Sequence, residues 1–323
     1  MIICYIILIL KRSFKIVTSR HSLVFTCQKG GEMASLTSAS YPIVGALMTA
    51  EKFLGPDRSW RHNNEKQAIL LEKFYRCCRQ DISKIPEIEA IASRRADEIN
   101  EFLRKGGMTI QLQPFSKEEV GAATIQDFLV EWAIKGEVTL VKTSDKKEFP
   151  GVHLVNEVVK FFKFGYHPYP IAQIVTSSQD KVLMTMLEGS PDEGFALDFM
   201  AQDFFVNKRP SEDFGGLIFP MVDLNQEVDV SWLRGMETVG EDGQPAIIAQ
   251  ALQQNKLRMN EIGARAQSGM AVSVAKSPLK PKPDHVINQP FLVWFIRSGL
   301  SRPLFVGYID REHWKNPGDL SQK

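Results

Sequence analysis

Cysteine is scarce in this sequence and carries no pattern. The four cysteines, Cys4, Cys27, Cys77 and Cys78, show no CxxC spacing and no accompanying histidine cluster, which argues against a zinc site. Cys77 and Cys78 are adjacent within a helical pattern, where a mutual disulfide would strain the backbone. Free thiols fit a reducing compartment, and the lack of any Asn-x-Ser/Thr acceptor points the same way. Charge of one sign is also missing: 39 Lys+Arg against 38 Asp+Glu leave a net +1. Nucleic acid is bound by neutralising phosphates with Lys and Arg, so that partner class is set aside.

The common catalytic signatures are absent as well. There is no phosphate-binding Gly-rich loop and no G-x-S-x-G turn. Asp213-Phe214-Gly215 copies the metal-binding tripeptide of protein kinases, but without a His-Arg-Asp or Gly-rich loop upstream it is a chance match. The six histidines (His21, His62, His153, His167, His285 and His313) are scattered, with no i, i+4 pair to hold a metal. No metal or cofactor is expected, and the chain reads as a non-enzyme. A dispersed Ser-His-Asp set, whose members need not be neighbours in sequence, is the remaining enzymatic alternative.

Long apolar runs are missing except at the start. Met1–Leu10 is apolar and is followed by Lys11, Arg12 and Lys15. The run is too short to span a bilayer, and its positive charge follows where a secretion signal would have it first. Two readings of residues 1–32 stay open: a short signal or anchor, or a mis-assigned start. The second is preferred, with Met33-Ala34-Ser35 as the beginning of a domain covering 33–323. Localisation is expected to be cytoplasmic or secreted, with cytoplasmic preferred. A membrane partner is not expected.

What is present is an ordinary globular balance, 44% hydrophobic and 24% charged, with ample apolar side chains for a core. Helical patterns dominate from about Tyr41 to Arg104. Ile43, Ala46, Leu47 and Leu54 form the stripe of a first helix; Ile69, Leu70, Phe74, Tyr75 and Cys78 form a second. Ile88, Ile91, Ala92, Ile99, Phe102 and Leu103 predict a third, and Ile125, Phe128, Leu129 and Trp132 a fourth. Strands follow at Glu137–Val141, Gly151–Phe162, Lys181–Leu187 and Leu217–Val222, rich in β-branched and aromatic residues. Asn255–Asn260 alternates polar and apolar. Phe291–Ile296 is apolar at every position, which predicts a strand covered on both sides, with Leu304–Tyr308 as its partner. Helices first and strands later predict an α+β fold.

The segment after Asn260 has an unusual composition. Read as a strand, Glu261–Val272 places Ala264, Ala266, Ser268 and Met270 on one face and Arg265, Gln267 and Gly269 on the other. Such a stretch could add to a sheet without burying a charge, or stay in water as a loop. A switching element needs both abilities.

Glu261-x-Gly263 followed by small residues resembles the hinge of the serpin reactive loop. Asn288-Gln289-Pro290-Phe291-Leu292-Val293-Trp294-Phe295-Ile296-Arg297 resembles the Pro-Phe-led strand that follows the loop in that family. Pro303-Leu304-Phe305-Val306-Gly307 resembles the closing strand, and Asn316-Pro317 the usual terminus. The three blocks stand in the family's order. Upstream, Ala39-Ser40-Tyr41-Pro42-Ile43-Val44-Gly45-Ala46-Leu47 looks like the family's early helix, with Pro42 where a second serine is usual. Ile99-Asn100 and Val155-Asn156-Glu157 are similar to two further landmarks, the second opening a central-sheet strand. The tryptophan expected after that strand has Tyr166 as its nearest candidate.

The resemblance implies a serpin-like α+β domain, with N-terminal helices packed on mixed β-sheets and an exposed reactive loop at about 261–286. Its landmarks are Asn156, Pro290, Phe291, Gly307 and Pro317. It implies a monomeric suicide-substrate inhibitor whose hinge (Glu261, Gly263, Ala264, Ala266, Ser268) inserts into the main sheet after cleavage. The partner would be a serine protease, with a cysteine protease as the secondary class. The scissile bond is expected at Lys276–Ser277, because Ser277-Pro278 is a poor site and a basic side chain suits a trypsin-like protease. Arg265 stands where an acidic residue is usual. The alternative is a serpin-fold protein that binds without inhibiting.

Overall fold

The structure is a computed structural model that describes residues 34–55, 59–116, 119–165, 167–178, 180–189, 191, 194–240, 243–263 and 282–320, and the backbone of 2–12. Among these residues no helix is long and apolar enough to cross a membrane.

Three sheets form the frame. In the first, neighbouring strands run in the order Val222–Val228, Pro245–Met259, Ile2–Arg12, Val120–Phe128, Ile88–Ser93, and Glu237–Val239 pairs with the beginning of Pro245–Met259. The second carries Arg209–Ser211, Val159–Lys163, Ile171–Val175, Asp180–Met186, Phe291–Arg297, Phe305–Ile309 and Leu36–Ser38 in that order, all antiparallel. The third joins Asp284–Val286, Gly216–Pro220, Glu148–Val155 and Glu137–Lys142, with one parallel pair. The architecture is α+β, as the pattern of helices and strands predicts.

Phe291–Arg297 shows why sequence reading succeeds in the core. Its odd positions Phe291, Val293 and Phe295 enter the main apolar cluster, while Leu292, Trp294 and Ile296 pack against Leu197, Ala201 and Phe204. A strand buried on both faces must be apolar at every position. The second layer is supplied by helix Gly194–Asn207, in a region whose texture reads as strands only.

Helix Ser40–Leu54 forms where expected, with Pro42 in its first turn, where a missing N–H costs little. It packs on Val120–Phe128, Ile2–Arg12 and Ile88–Ser93. Residues Glu65 to Asp81 are helical, with a π turn at Leu70–Tyr75. The predicted third helix divides: Ile88–Ser93 is a strand, and only Ala96–Lys105 is helical. The predicted fourth helix is replaced by strand Val120–Phe128. Small and β-branched residues fill that segment (Val120, Gly121, Ala122, Ala123, Thr124, Ile125), and tight approach from both faces selects them. A Cβ at Gly121 would sit 2.4 Å from Ile99 Cδ1, so helix Ala96–Lys105 rests directly on this strand.

The outer layer continues past that helix. Met108, Ile110 and Leu112 pack with Ile99, Leu103, Ala123 and Ile125, and touch Ala249 and Leu252 of Pro245–Met259. Asn100 fixes the return, accepting from Leu112 N–H at 2.8 Å and donating to its carbonyl at 3.1 Å. The Thr109 N–H donates to Gln254 Oε1 at 3.2 Å, and Lys256 Nζ to Gly107 O at 2.5 Å. Both neighbours of the Ile2–Arg12 strand are thereby tied to one covering layer.

Arg297 closes the far end of the second sheet. It lies 2.7 Å from Glu87 and 2.8 Å from Asp180, whose side chain is only 3% exposed. Removing it strands a buried carboxylate, so Arg297→Ala should cost about 3–5 kcal/mol in denaturant unfolding.

Asp198 on helix Gly194–Asn207 is buried, and burial pushes its carboxyl up to about 6, against the pull of the Ser38 and Ser40 hydroxyls that donate to it and of nearby Arg302. A raised carboxyl favours the protonated fold. That contribution is complete below about pH 4 and is lost as pH rises through about 6. Between those limits, unfolding free energies of wild type and Asp198→Asn should diverge by on the order of 2–3 kcal/mol, with the variant flatter.

Candidate functional site

The candidate site begins where Pro245–Met259 ends. Asn260, Glu261, Ile262 and Gly263 form a tight turn, closed by Gly263 N–H donating to Asn260 O at 3.2 Å. The Asn260 side chain braces it from inside: Oδ1 accepts from Ile262 N–H at 2.9 Å, an Asx turn. Its Nδ2 donates to Gly318 O at 3.0 Å. Gly263 adopts φ +77°, a left-handed conformation that suits glycine.

Trp132 packs against this turn. Its indole N–H donates to Asn260 O at 2.9 Å, and Gly136 N–H reaches Glu261 O at 2.8 Å. A Cβ on Gly263 would lie 2.4 Å from Trp132 N and 2.8 Å from its ring, so glycine is required sterically as well as conformationally. Lys135 stands 3.8 Å from Glu261. Phe219 meets the Trp132 ring edge-on at 6.0 Å, which seats the indole on the third sheet.

This geometry corrects two expectations. Asn156 does not open a central-sheet strand; it starts a short 3-10 turn between Glu148–Val155 of the third sheet and Val159–Lys163 of the second. The first-sheet strand that a tryptophan follows is Val120–Phe128, with Trp132 after it; Tyr166 lies outside the described residues. Sequence reading missed Trp132 because its segment was assigned to a helix. The available clue was the density of small and β-branched residues from Val120 to Ile125, which disfavours that assignment.

Of the C-terminal landmarks, Pro317 lies beside this turn, while Pro290, Phe291 and Gly307 belong to the second sheet. Arg258 donates to Pro317 O and, at 3.1 Å, to Asp319 O, so the strand before the hinge and the chain end are stapled together. Pro290 O accepts from Leu187 N–H at 3.0 Å and leads into Phe291 at the start of its strand. Gly307 lies between Val293 and Thr37, where a Cβ would press to 2.9 Å on the Phe305 ring.

The chain is fixed again where the described residues resume. Asp284–Val286 pairs in parallel with Gly216–Ile218, and Gly215 N–H donates to Pro283 O at 2.9 Å. His285 is buried beside Phe161 and Phe214, and burial lowers its pKa to about 4, so it is neutral at physiological pH. His153 Nε2 stands 3.2 Å from Asp284. The chain between Gly263 and Lys282 therefore connects two anchored posts on different sheets. Ala264, Ala266, Ser268, Lys276 and Ser277 belong to that connection and lie outside the described residues.

Among the described residues, Asp310, Glu312 and His313 bring one possible metal-ligand atom each within 4.8 Å of one another. Asp310 is already engaged as a cap, accepting from Glu312 N–H at 2.9 Å.

Gly263→Ala should lower stability by about 1–3 kcal/mol. Trp132→Phe, which keeps the ring but deletes the N–H to Asn260, should cost about 1 kcal/mol. Denaturant titration of both variants checks the order.

No family model and no curated protein matches the sequence. Solved structures do match. Serpin48, a highly specific serpin of the insect Tenebrio molitor, superposes with a TM-score of 0.54 at 12% identity, over 86% of this chain and 92% of that one. Thyroxine-binding globulin in complex with thyroxine gives 0.52 at 11% identity, over 85% and 92%. Matches that cover most of this chain and of both others lead to one conclusion: the chain has the serpin fold, in a divergent form.

Proposed function

We propose that this protein is a protease inhibitor acting as a suicide substrate, with a trypsin-like serine protease as its target. The observation that carries the reading is the pair of anchored posts at Gly263 and Asp284, which lie on different sheets. One post ends a strand of the first sheet, the other begins a strand of the third, and the residues after the hinge are small. The protease serine would attack the Lys276 carbonyl. The Lys276–Ser277 C–N bond breaks, an acyl ester forms, and the leaving Ser277 amine takes the proton. Released at that bond, the segment from Ala264 onward is free to add to a sheet as a strand, a known use of sheet hydrogen bonding. About ten residues gaining ladder hydrogen bonds at ~1 kcal/mol net each supply on the order of 10 kcal/mol, enough to hold a distorted partner.

A second reading, a binding protein without inhibition, draws support from the first sheet. Both edges of Pro245–Met259 are already paired, so an inserting segment has no vacant edge there. A thyroxine-binding globulin shares the fold, which makes a carrier role compatible with it.

Mixing the purified chain with trypsin should yield a covalent complex that survives denaturing electrophoresis. Lys276→Ala should abolish it. Ala264→Arg should convert inhibitor into substrate by forcing a charge beneath the inserted strand. A loop-cleaved sample should melt well above the intact one; cleavage without complex or melting shift favours the binding reading.

A further inference from the structure

The strand Ile2–Arg12 lies between Pro245–Met259 and Val120–Phe128, antiparallel to both. Its register runs from Ile2 opposite Leu257 and Phe128 to Leu10 opposite Ile248 and Val120, with Arg12 opposite Ala246 and one irregularity at Ile9–Leu10. The other edge of Pro245–Met259 is taken by Val222–Val228, which pairs with Gln253–Met259.

A segment that leaves Met259 through the Asn260–Gly263 turn and folds back can only run antiparallel to Pro245–Met259. It would meet Leu257 first and Ala246 last. Ile2–Arg12 takes the same course in the same direction. The two segments therefore specify one position on the sheet. In composition the N-terminal strand is the stronger occupant. Ile2, Ile3, Tyr5, Ile6, Ile7 and Ile9 have high strand preference, whereas the post-hinge stretch is mostly Ala, Gly, Ser and Gln. Both flanking strands are also tied to the layer formed by Ala96–Leu112, so the sheet is closed around its present occupant.

We propose that Ile2–Arg12 is an intramolecular competitor of the reactive loop. It fills the position into which the hinge segment would insert, and trapping of a protease requires its departure. The inference rests on the inserting-loop reading given above. It adds that the first sheet has two mutually exclusive occupants from opposite ends of one chain. While the N-terminal strand stays in place, cleavage of the loop ends in simple hydrolysis, so wild type traps only the fraction in which the strand departs first. With it displaced, the hinge segment enters and the acyl-enzyme is held.

The test uses the full chain in two forms. In Leu8→Cys/Ala251→Cys the substituted positions face each other in the register, so oxidation should give an intramolecular cross-link, identified by peptide mapping. The oxidised form should yield no trypsin complex on a denaturing gel, and reduction before mixing should restore it. Ile7→Pro removes a ladder N–H from a strand paired on both sides, and should raise the trapped fraction over wild type by about tenfold, corresponding to ~1.4 kcal/mol. Should Ile7→Pro not fold, the oxidised and reduced cysteine pair decides alone, since both states come from one protein. Failure of the cross-link to form overturns the placement of the strand. A cross-linked chain that traps as well as its reduced form overturns the competition while leaving the inserting loop intact. A cross-link that forms while no variant traps trypsin or gains a melting shift on cleavage overturns the inserting-loop reading, and the competition with it.

Discussion

A β-strand has two hydrogen-bonding edges, and Pro245–Met259 uses both. One is held by Val222–Val228, the other by Ile2–Arg12, and the strand's end is bound into the Asn260–Gly263 turn. Much else in the structure follows from this strand. It leads into the Asn260–Gly263 turn, its Arg258 staples the residues around Pro317, and its Gln254 and Lys256 hold the outer layer against the sheet. A change in what lies beside it is therefore felt at the hinge, at the C-terminus and in the covering helix together.

The inner surface of the same strand is unusually polar for a buried seam. Gln253 and Asn255, which share this face, are both buried. Asn255 donates to Thr37 Oγ1 at 2.9 Å, Thr37 in turn donates to Gln226 at 2.9 Å, and Gln253 reaches Ala39 O at 3.4 Å. Beyond them, Ser38 and Ser40 donate to the buried Asp198. Apolar faces can slide against one another at small cost. A chain of amides and hydroxyls is satisfied in one alignment only, and any slip leaves buried donors without acceptors. The seam thus sets the position of the first sheet relative to Leu36–Ser38 of the second.

The likeness to a highly specific insect serpin and to a thyroxine-binding globulin, at comparable TM-scores and low identity, shows that one fold accommodates very different sequences. In the present chain the frame is tight at two glycines. Gly263 fits beneath Trp132 and Gly307 beneath Phe305, and in each case a Cβ would collide. At the centre of the first sheet in this chain lies an apolar N-terminal segment.

The sequence determined by itself the elements whose environment is uniform along their length. Phe291–Ile296 could only be a strand covered on both sides, Ser40–Leu54 carried its helical stripe, and the order of hinge, Pro290–Phe291 strand and closing strand identified the fold. Each depends on local pattern or on short-range order along the chain. Tertiary structure alone decided the rest. Val120–Phe128 carries apolar residues that also fit a helical stripe, and only neighbours on both edges make it a strand, with Trp132 delivered to the hinge as a result. Ile88–Ser93 turned from helix to strand for the same reason. Met1–Leu10 reads in isolation as a leader or a mis-assigned start, because its character lies in partners found more than a hundred residues away. Strand pairing is a contract between distant segments, and neither party to it records the other in its own composition.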